Sequence, residues 1–182
     1  MILSAHARAA RLVSAAAPAI LPLAARAVFA GVLLLFFWRS GLTKLGDGIL
    51  GLVRPSDGAY IQIFPKAVEA AGYDFSQLGT FHTLVVLAGT WAEFLLPALI
   101  VLGLATRLAA LGMIGFVVVM SLTDVYGHGV AGADLGAWFD GAPGALILDQ
   151  RALWIVLLMV PLMLGPGALS LDRLLGLERR GA

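Results

Sequence analysis

The chain has 182 residues, of which 60% are hydrophobic and only 13% are charged, and its formal net charge is +1. A soluble domain carries about 25% charged residues, so roughly half of the expected polar covering is missing and lipid must take its place. The near-neutral charge, with no basic cluster, excludes a nucleic-acid binder. The absence of cysteine excludes disulfides, thiolate catalysis and thiolate-ligated iron–sulfur or zinc sites.

The N-terminal residues 1–23 precede the first long apolar segment. Arg8 and Arg11 lie ahead of a short apolar run, a pattern that predicts an amphipathic interfacial helix on the cytoplasmic face. A cleavable signal peptide and simple disorder are the alternatives, and Pro18 and Pro22 argue against the signal peptide.

Four later segments approach the length of about 20 apolar residues that crosses a bilayer. They are residues 24–45, 82–104, 108–125 and 152–165. The tight turn at Thr106 and Arg107 makes the second and third spans antiparallel neighbours. The fourth span is short, since Asp149 and Arg151 limit it, although Leu146 to Leu148 could extend it; an interfacial or re-entrant helix is the alternative. The pattern predicts an all-α membrane protein, a four-transmembrane-helix bundle over residues 24–167.

The distribution of basic residues predicts the orientation. Four crossings place both termini on the same side of the membrane. The C-terminal tail, residues 168–182, therefore lies on that side too. Seven of the 12 lysines and arginines fall on this side: Arg8, Arg11, Arg26, Arg107, Arg173, Arg179 and Arg180. The positive-inside rule therefore predicts that both termini are cytoplasmic.

Two long loops, residues 46–80 and 126–150, fall on the opposite side. In the first, Pro65 suits a first helical turn, and Ile61, Phe64, Val68 and Ala71 follow a helical spacing. A short extra helix over the mouth of the bundle is expected there. The second loop has six glycines and predicts a flexible flap with little regular structure.

Two charges, Arg39 and Glu93, lie well inside the predicted spans rather than at their ends. Arg39 lies on the order of 9 Å, and Glu93 on the order of 16 Å, below the outer boundary of the bilayer. Because an unpaired charge at the membrane centre costs at least about 2.5 kcal/mol, both should face inward and form a pair. Two interpretations stay open: a structural ion pair that joins helices, or a pair that also lines a ligand cavity.

The residues around this pair bear on that choice. Pro97 should free the backbone carbonyl of Glu93 and bend the helix. Arg39 and Thr43 share one face of the first span, and Ser40 and Lys44 share an adjacent face. Together they form a polar stripe toward the outer end.

Each further candidate also has a structural interpretation. The position of Lys44 is typical of an interfacial lysine whose amine reaches the lipid headgroups. Trp38 and Trp91 suit packing or interfacial aromatics, and Arg107 suits the cytoplasmic turn, where it would contact lipid phosphates. His82 and His128 lie near the outer surface, where a solvated or capping histidine is the default.

The chemistry of these groups meets the requirements of a quinone site. A guanidinium or an indole N–H can donate to a ligand carbonyl, and a buried carboxyl can exchange a proton. Glu93 and Arg39 are thus the catalytic candidates, and the ligand-binding candidates are Trp38, Thr43, Lys44, Trp91 and Pro97. No haem, flavin or metal motif is visible in the sequence.

Four polar segments, in this order, resemble the DoxX family. They are Phe37 to Leu45 (FWRSGLTKL), Trp91 to Pro97 (WAEFLLP), Leu102 to Leu111 (LGLATRLAAL) and Gly165 to Asp172 (GPGALSLD). The resemblance implies a four-helix protein of the bacterial cytoplasmic membrane, described as an oxidoreductase component and including the membrane subunits of thiosulfate:quinone oxidoreductases. It carries Arg39, Lys44, Glu93 and Arg107 over as the family's polar positions. The first segment further resembles members encoded beside genes for copper-binding modified peptides.

Two functional hypotheses follow. The protein is either a quinone-reactive membrane subunit, inactive alone and supplied with electrons by a protein partner, or a non-catalytic anchor or assembly factor that recruits a partner. A transporter of a small anion or metal is a third alternative. A homo-oligomer fits each of them.

Overall fold

The computed structural model describes residues 2–177, so Arg179 and Arg180, which counted toward the predicted orientation, lie outside the described residues. The α-helices are Ile2–Phe29, Leu35–Lys44, Asp57–Ile63, Pro65–Ala70, Thr80–Leu102, Thr106–Leu122, Ala152–Leu164 and Leu171–Leu174. Three π-helical turns (Ala30–Leu34, Thr123–Gly127 and Leu146–Arg151) and two 3₁₀ turns (Ile49–Leu52 and Phe75–Gln77) accompany them.

Within the described part of the chain, four helices are long and apolar enough to cross a membrane. They are Ala5–Lys44, Thr80–Leu102, Thr106–Gly127 and Leu146–Leu164, and are called the first to fourth spans below. The predicted all-α, four-span class is confirmed. Because the π turns continue the α-helices, the spans differ in length from the sequence prediction.

The first and fourth spans show this difference. The first helix is continuous over 40 residues, about 60 Å at 1.5 Å per residue. The predicted interfacial segment and the predicted span therefore lie on one helix. The fourth span begins at Leu146 and has 19 residues, so Asp149 and Arg151 lie inside the helix they were expected to limit.

The spans pack in a closed ring, each against its neighbour in sequence and the fourth against the first. One apolar core joins all four, and its buried members are Phe29, Leu33, Phe37, Ile100, Ala109, Met113, Val117 and Leu158. Phe37 packs edge-on against Phe116 and Trp154. The regular spacing of Phe29, Leu33 and Phe37 shows which face of the first span points into the bundle.

Two buried charged residues hold together the end of the bundle that carries the turn between the second and third spans, here called the turn end. Arg26 donates to the carbonyl oxygens of Ile100 (2.8 Å) and Val101 (2.7 Å) in the last turn of the second span. It also donates to Pro166 and Leu169, both at 2.6 Å, beyond the fourth span. These bonds tie the end of the second span to the segment that follows the fourth span.

Asp172 closes the start of the third span at the same end. Its carboxylate accepts from the backbone N–H groups of Ala105 (2.7 Å) and Thr106 (2.9 Å) and from the Thr106 hydroxyl (2.7 Å). This is the bonding of an N-cap, supplied from a distant part of the chain. Gly103 has φ +68° and a Cβ there would lie 2.6 Å from Ser170, so the turn requires glycine.

The opposite end, here called the loop end, carries the two long loops. The expected short helix is present as two pieces, Asp57–Ile63, capped by the Ser56 hydroxyl, and Pro65–Ala70, with Pro65 in its first turn. Phe64, with φ −127° and ψ 54°, interrupts the helix between them. The second loop is irregular over residues 128–145, as expected, and its flexibility stays a prediction.

Candidate functional site

The polar face of the first span is set by its packing. Phe37 is fully buried, and Gly41 and Lys44 follow it on the same face of the helix. A Cβ on Gly41 would lie 2.7 Å from the Phe94 ring, so this glycine lets the first two spans approach closely. The close approach brings Lys44 onto the second span.

Lys44, Glu93 and Ser40 form a closed buried triad. The Lys44 Nζ lies 3.0 Å from each carboxylate oxygen of Glu93 and donates to the Ser40 hydroxyl at 2.7 Å. The Ser40 hydroxyl in turn donates to Glu93 Oε1 at 3.0 Å. Lys44 is 5% and Glu93 2% exposed. Each charge is therefore removed from lipid and compensated by the other.

The expected pairing of Arg39 with Glu93 is wrong. Arg39 lies two residues after the buried Phe37, which turns it about 200° around the helix. Its side chain is exposed on the outer surface of the bundle, as is that of Thr43. Glu93 is correctly predicted to face inward and to pair with a basic residue of the first span, and that residue is Lys44.

A second ion pair joins the third and fourth spans. Arg151 Nη2 lies 2.5 Å from Asp124 Oδ2, and Arg151 Nη1 donates to the Ser121 hydroxyl at 3.2 Å. Arg151 is 4% exposed. Neither Asp124 nor Arg151 was a sequence candidate. Once Leu146 to Leu148 extend the fourth span, Arg151 becomes a charge inside a span, and the rule that selected Glu93 would have selected it too.

Both ion pairs line one cavity of about 490 Å³ between the second and third spans. Its walls are mostly apolar side chains and small residues of these two spans. Gln62 and Ile63, the last residues of the short helix Asp57–Ile63, lie over its loop end together with His128. His128 Nε2 lies 3.0 Å from the Gln62 carbonyl oxygen.

The cavity reaches the side of the bundle. Four of its lining residues, Ala88, Gly112, Gly115 and Val119, are also exposed at the surface between the second and third spans. Gly115 has no atom within 4 Å of an added Cβ. In a membrane this opening faces acyl chains, because it lies at mid-span rather than at a loop.

The other sequence candidates lie outside this cavity. The indole N–H of Trp38 donates to the Phe94 carbonyl at 3.2 Å, and that of Trp91 donates to Leu52 at 3.0 Å. Both tryptophans thus tie backbone segments together. Pro97 is buried within the second span but does not line the cavity.

Arg107 and His82 also lie away from the cavity. Arg107 donates to the carbonyls of Leu162 (2.7 Å) and Met163 (2.8 Å), so at least part of its role is to cap the end of the fourth span. His82 packs edge-on against Phe64 with ring centroids 4.8 Å apart. Of the predicted site residues, the fold brings Lys44, Glu93 and His128 together at the cavity.

The donors and acceptors of the two polar groups differ in availability. The ammonium of Lys44 and the hydroxyl of Ser40 direct their hydrogens within the triad, while the Glu93 carboxylate keeps one lone pair free, on Oε2. Among the described residues, Arg151 Nε is buried and has no hydrogen-bond partner. The cavity wall therefore offers an acceptor at Glu93.

The fold and this cavity define a multi-pass membrane protein with one buried and one partly buried ion pair around a mostly apolar cavity. The DoxX family model matches residues 21–125, more than half of the chain, and the chain belongs to the DoxX family. The match includes Lys44, Glu93 and Asp124 and ends before the fourth span. No curated protein and no solved structure matches the chain.

Proposed function

We propose that the protein is the membrane subunit of a redox complex and binds a quinone in the cavity between its second and third spans. The observation that carries this proposal is the mostly apolar cavity of about 490 Å³ that opens toward lipid and has the buried Lys44–Glu93 pair in its wall. A volume of this size falls in the range of about 300 to 1,000 Å³ typical of small-molecule sites.

The chemistry of a quinone suits the lining. Its apolar ring fits the side chains of the second and third spans, and its lipid tail can leave through the opening at Gly112 and Gly115. Its carbonyls need donors, and the hydroxyls of the quinol need acceptors such as the Glu93 carboxylate. Glu93 would then receive or return a proton at the ring.

The redox step needs a second protein. Reduction of a quinone to its quinol takes up two electrons and two protons, and we propose that a partner protein supplies the electrons. We further propose that the complex lies in the bacterial cytoplasmic membrane with both termini in the cytoplasm, as the basic residues near the turn end favour.

The test is to fill the cavity without disturbing the fold. Gly115→Leu places a side chain where no atom lies within 4 Å of the added Cβ, and it removes a helix-weakening glycine. Gly31→Leu is the matched control, because Gly31 is exposed on the first span and also has nothing within 4 Å. Both variants and the native protein are extracted with native lipid, and bound quinone is measured by mass spectrometry.

We expect a stoichiometric quinone in the native protein and in Gly31→Leu, and a large loss in Gly115→Leu at an unchanged melting temperature. Native protein that carries no quinone, and binds none when it is supplied in vesicles, would contradict the proposal. Equal quinone in both leucine variants would place the quinone elsewhere and contradict it as well.

A non-catalytic anchor or assembly factor is the alternative, and one observation favours it. Large apolar side chains project from the loop end, among them Ile49 at 86% exposure and the fully exposed Phe139. Phe139 also has φ +68°, a conformation unfavourable for a bulky residue. A partner that covers these loops would explain them, including one from a copper-binding modified-peptide system.

A further inference from the structure

Between Arg26 and Lys44, the first span carries one charged side chain that faces away from the bundle. This residue is Arg39, which is exposed and forms no ion pair or hydrogen bond within the part of the chain that the structure describes. The other charged residues deep in the spans are paired with each other; they are Lys44, Glu93, Asp124 and Arg151. Because an uncompensated charge in lipid is costly, Arg39 requires a partner from outside the chain.

Two contacts show how deep Arg39 lies in the membrane. The indole N–H of its neighbour Trp38 donates to the Phe94 carbonyl at 3.2 Å, and a Cβ on Gly41 would lie 2.7 Å from the Phe94 ring. Phe94 is about 21 Å from the loop end of the second span and about 12 Å from its turn end. An arginine side chain covers only part of either distance, so the headgroups on both sides lie beyond its reach.

The first span ends below the outer boundary that the second span defines. The chain that follows the first span stays close to mid-membrane depth, because the Leu52 carbonyl accepts from the indole of Trp91 at 3.0 Å. Trp91 lies about 17 Å from the loop end of the second span. Arg39 is therefore deeper than the order of 9 Å expected from the sequence, which assumed that the first span ends at the membrane boundary.

The surroundings of Arg39 provide no acceptor. Leu35 and Leu42 lie one turn before and one turn after it and are 57% and 60% exposed. The Thr43 hydroxyl donates to the Ser40 carbonyl at 2.7 Å and so is engaged within its own helix. Arg39 is thus a single cation on an otherwise apolar helix face, and this pattern is typical of a contact between membrane helices.

A second copy of the chain does not offer the required carboxylate. Among the residues that the structure describes, the spans contain three carboxylates, those of Glu93, Asp124 and Asp149. The first two are held in the ion pairs of the cavity. Asp149 lies at the loop end, where it accepts from the backbone N–H of Ala145. The acceptor for Arg39 must therefore come from a different protein.

We propose that Arg39 marks the docking face for a transmembrane helix of a partner protein, and that this helix carries an aspartate or glutamate near the middle of its span. The two charges compensate each other in lipid, and the leucines on either side of Arg39 pack against the partner helix. This proposal does not require the cavity to bind quinone. A helix on this face also leaves the cavity accessible, because the cavity opens between the second and third spans.

The test uses a synthetic transmembrane helix in place of the partner. A leucine-rich peptide with one central glutamate, and the same peptide with glutamine there, are titrated against the fluorescent full-length protein in phosphatidylcholine vesicles. Energy transfer from a fluorophore on the peptide measures association. Arg39→Leu removes the charge from the proposed face. Arg54→Leu is the matched control, because Arg54 is also exposed but lies in the loop that follows the first span.

We expect the native protein and Arg54→Leu to bind the glutamate peptide about fivefold more tightly than the glutamine peptide, the effect of one polar contact between membrane helices. Arg39→Leu should bind both peptides with equal, weaker affinity. Equal affinity of the native protein for the two peptides would overturn the proposal, as would an unchanged preference in Arg39→Leu. The comparison on the native protein needs no variant and stays decisive if Arg39→Leu does not fold.

A second measurement tests the other occupants of this face, in vesicles without peptide. Solid-state NMR detects contact between arginine guanidinium carbons and lipid phosphorus, and energy transfer between labelled copies detects self-association. We expect both signals to be the same in the native protein and in Arg39→Leu. A phosphorus contact that disappears in Arg39→Leu would assign the face to lipid headgroups, and self-association lost in that variant would assign it to a second copy; either result overturns the proposal.

Discussion

Lys44 Nζ lies 3.0 Å from both carboxylate oxygens of Glu93, on the faces by which the first and second spans pack together. Both side chains are nearly inaccessible, at 5% and 2% exposure. Neither residue is therefore a surface charge that lipid headgroups or water can compensate, and each depends on the other. Three predictions test this pair and the contacts that position it, and a fourth tests the turn end.

Removal of one partner of the pair should destabilise the protein. Lys44→Gln leaves the Glu93 carboxylate buried without its cation and should lower the free energy of unfolding by about 3 kcal/mol. Arg39→Gln is the matched control on the exposed face of the same helix and should change it by less than about 0.5 kcal/mol. Reversible unfolding in mixed micelles measures both; equal losses in the two variants would show that Arg39 is as important as Lys44.

A neutral double replacement should separate stability from activity. Lys44→Met combined with Glu93→Gln removes both charges and keeps similar volumes, so stability should return to within about 1 kcal/mol of the native value. Quinone reduction by the complete complex should still be lost, because no carboxyl remains to exchange a proton. Native activity in the stable double variant would show that the pair only joins helices.

Closer packing at Gly41 should disturb the same pair. In Gly41→Ala the new Cβ would lie 2.7 Å from the Phe94 ring, so that the ring or the helix must move. We expect a loss of about 1 kcal/mol, at the low end for overpacking because the ring can rotate. Gly31→Ala, which meets no atom within 4 Å, should be neutral or slightly stabilising. A melting temperature unaffected by Gly41→Ala would argue against the close approach of the two spans.

Loss of the Asp172 carboxylate should loosen the turn end without affecting the cavity. Asp172→Ala leaves the N–H groups of Ala105 and Thr106 without their acceptor, which should cost about 2 kcal/mol. Hydrogen exchange should accelerate at these two amides, while quinone affinity stays at the native value. Asp47→Ala, in an exposed loop, is the control for loss of a carboxylate. Exchange rates at residues 105 and 106 that match the control would refute the capping role.

Several features were predictable because they depend on local properties of the chain. The four spans follow from the number of consecutive apolar residues, and the turn at Thr106 from the short gap between two of them. Pro65 marks the start of a helix because its ring fits only the first turn. Glu93 was identified as inward-facing because a carboxylate in lipid is too costly to remain unpaired.

The partner of Glu93 was not predictable in the same way. Arg39 and Lys44 lie on the same helix, and the choice between them depends on which face of that helix packs inward. Phe37 and Gly41 decide it, by burial in the core and by close contact with Phe94. The turn-end contacts of Arg26 were missed for a related reason, since its four acceptors come from two distant segments of the chain.

By itself, the sequence determined that this is a four-span membrane protein with a buried carboxylate at mid-span, because hydropathy and the cost of a charge in lipid act along the chain. Only the tertiary structure decided that Lys44 compensates the charge of Glu93. It also decided that Arg151 and Asp124 line the same cavity as this pair. The physical reason is that helix rotation and the meeting of distant segments are set by the packing of side chains between spans, and a hydropathy pattern does not encode that packing.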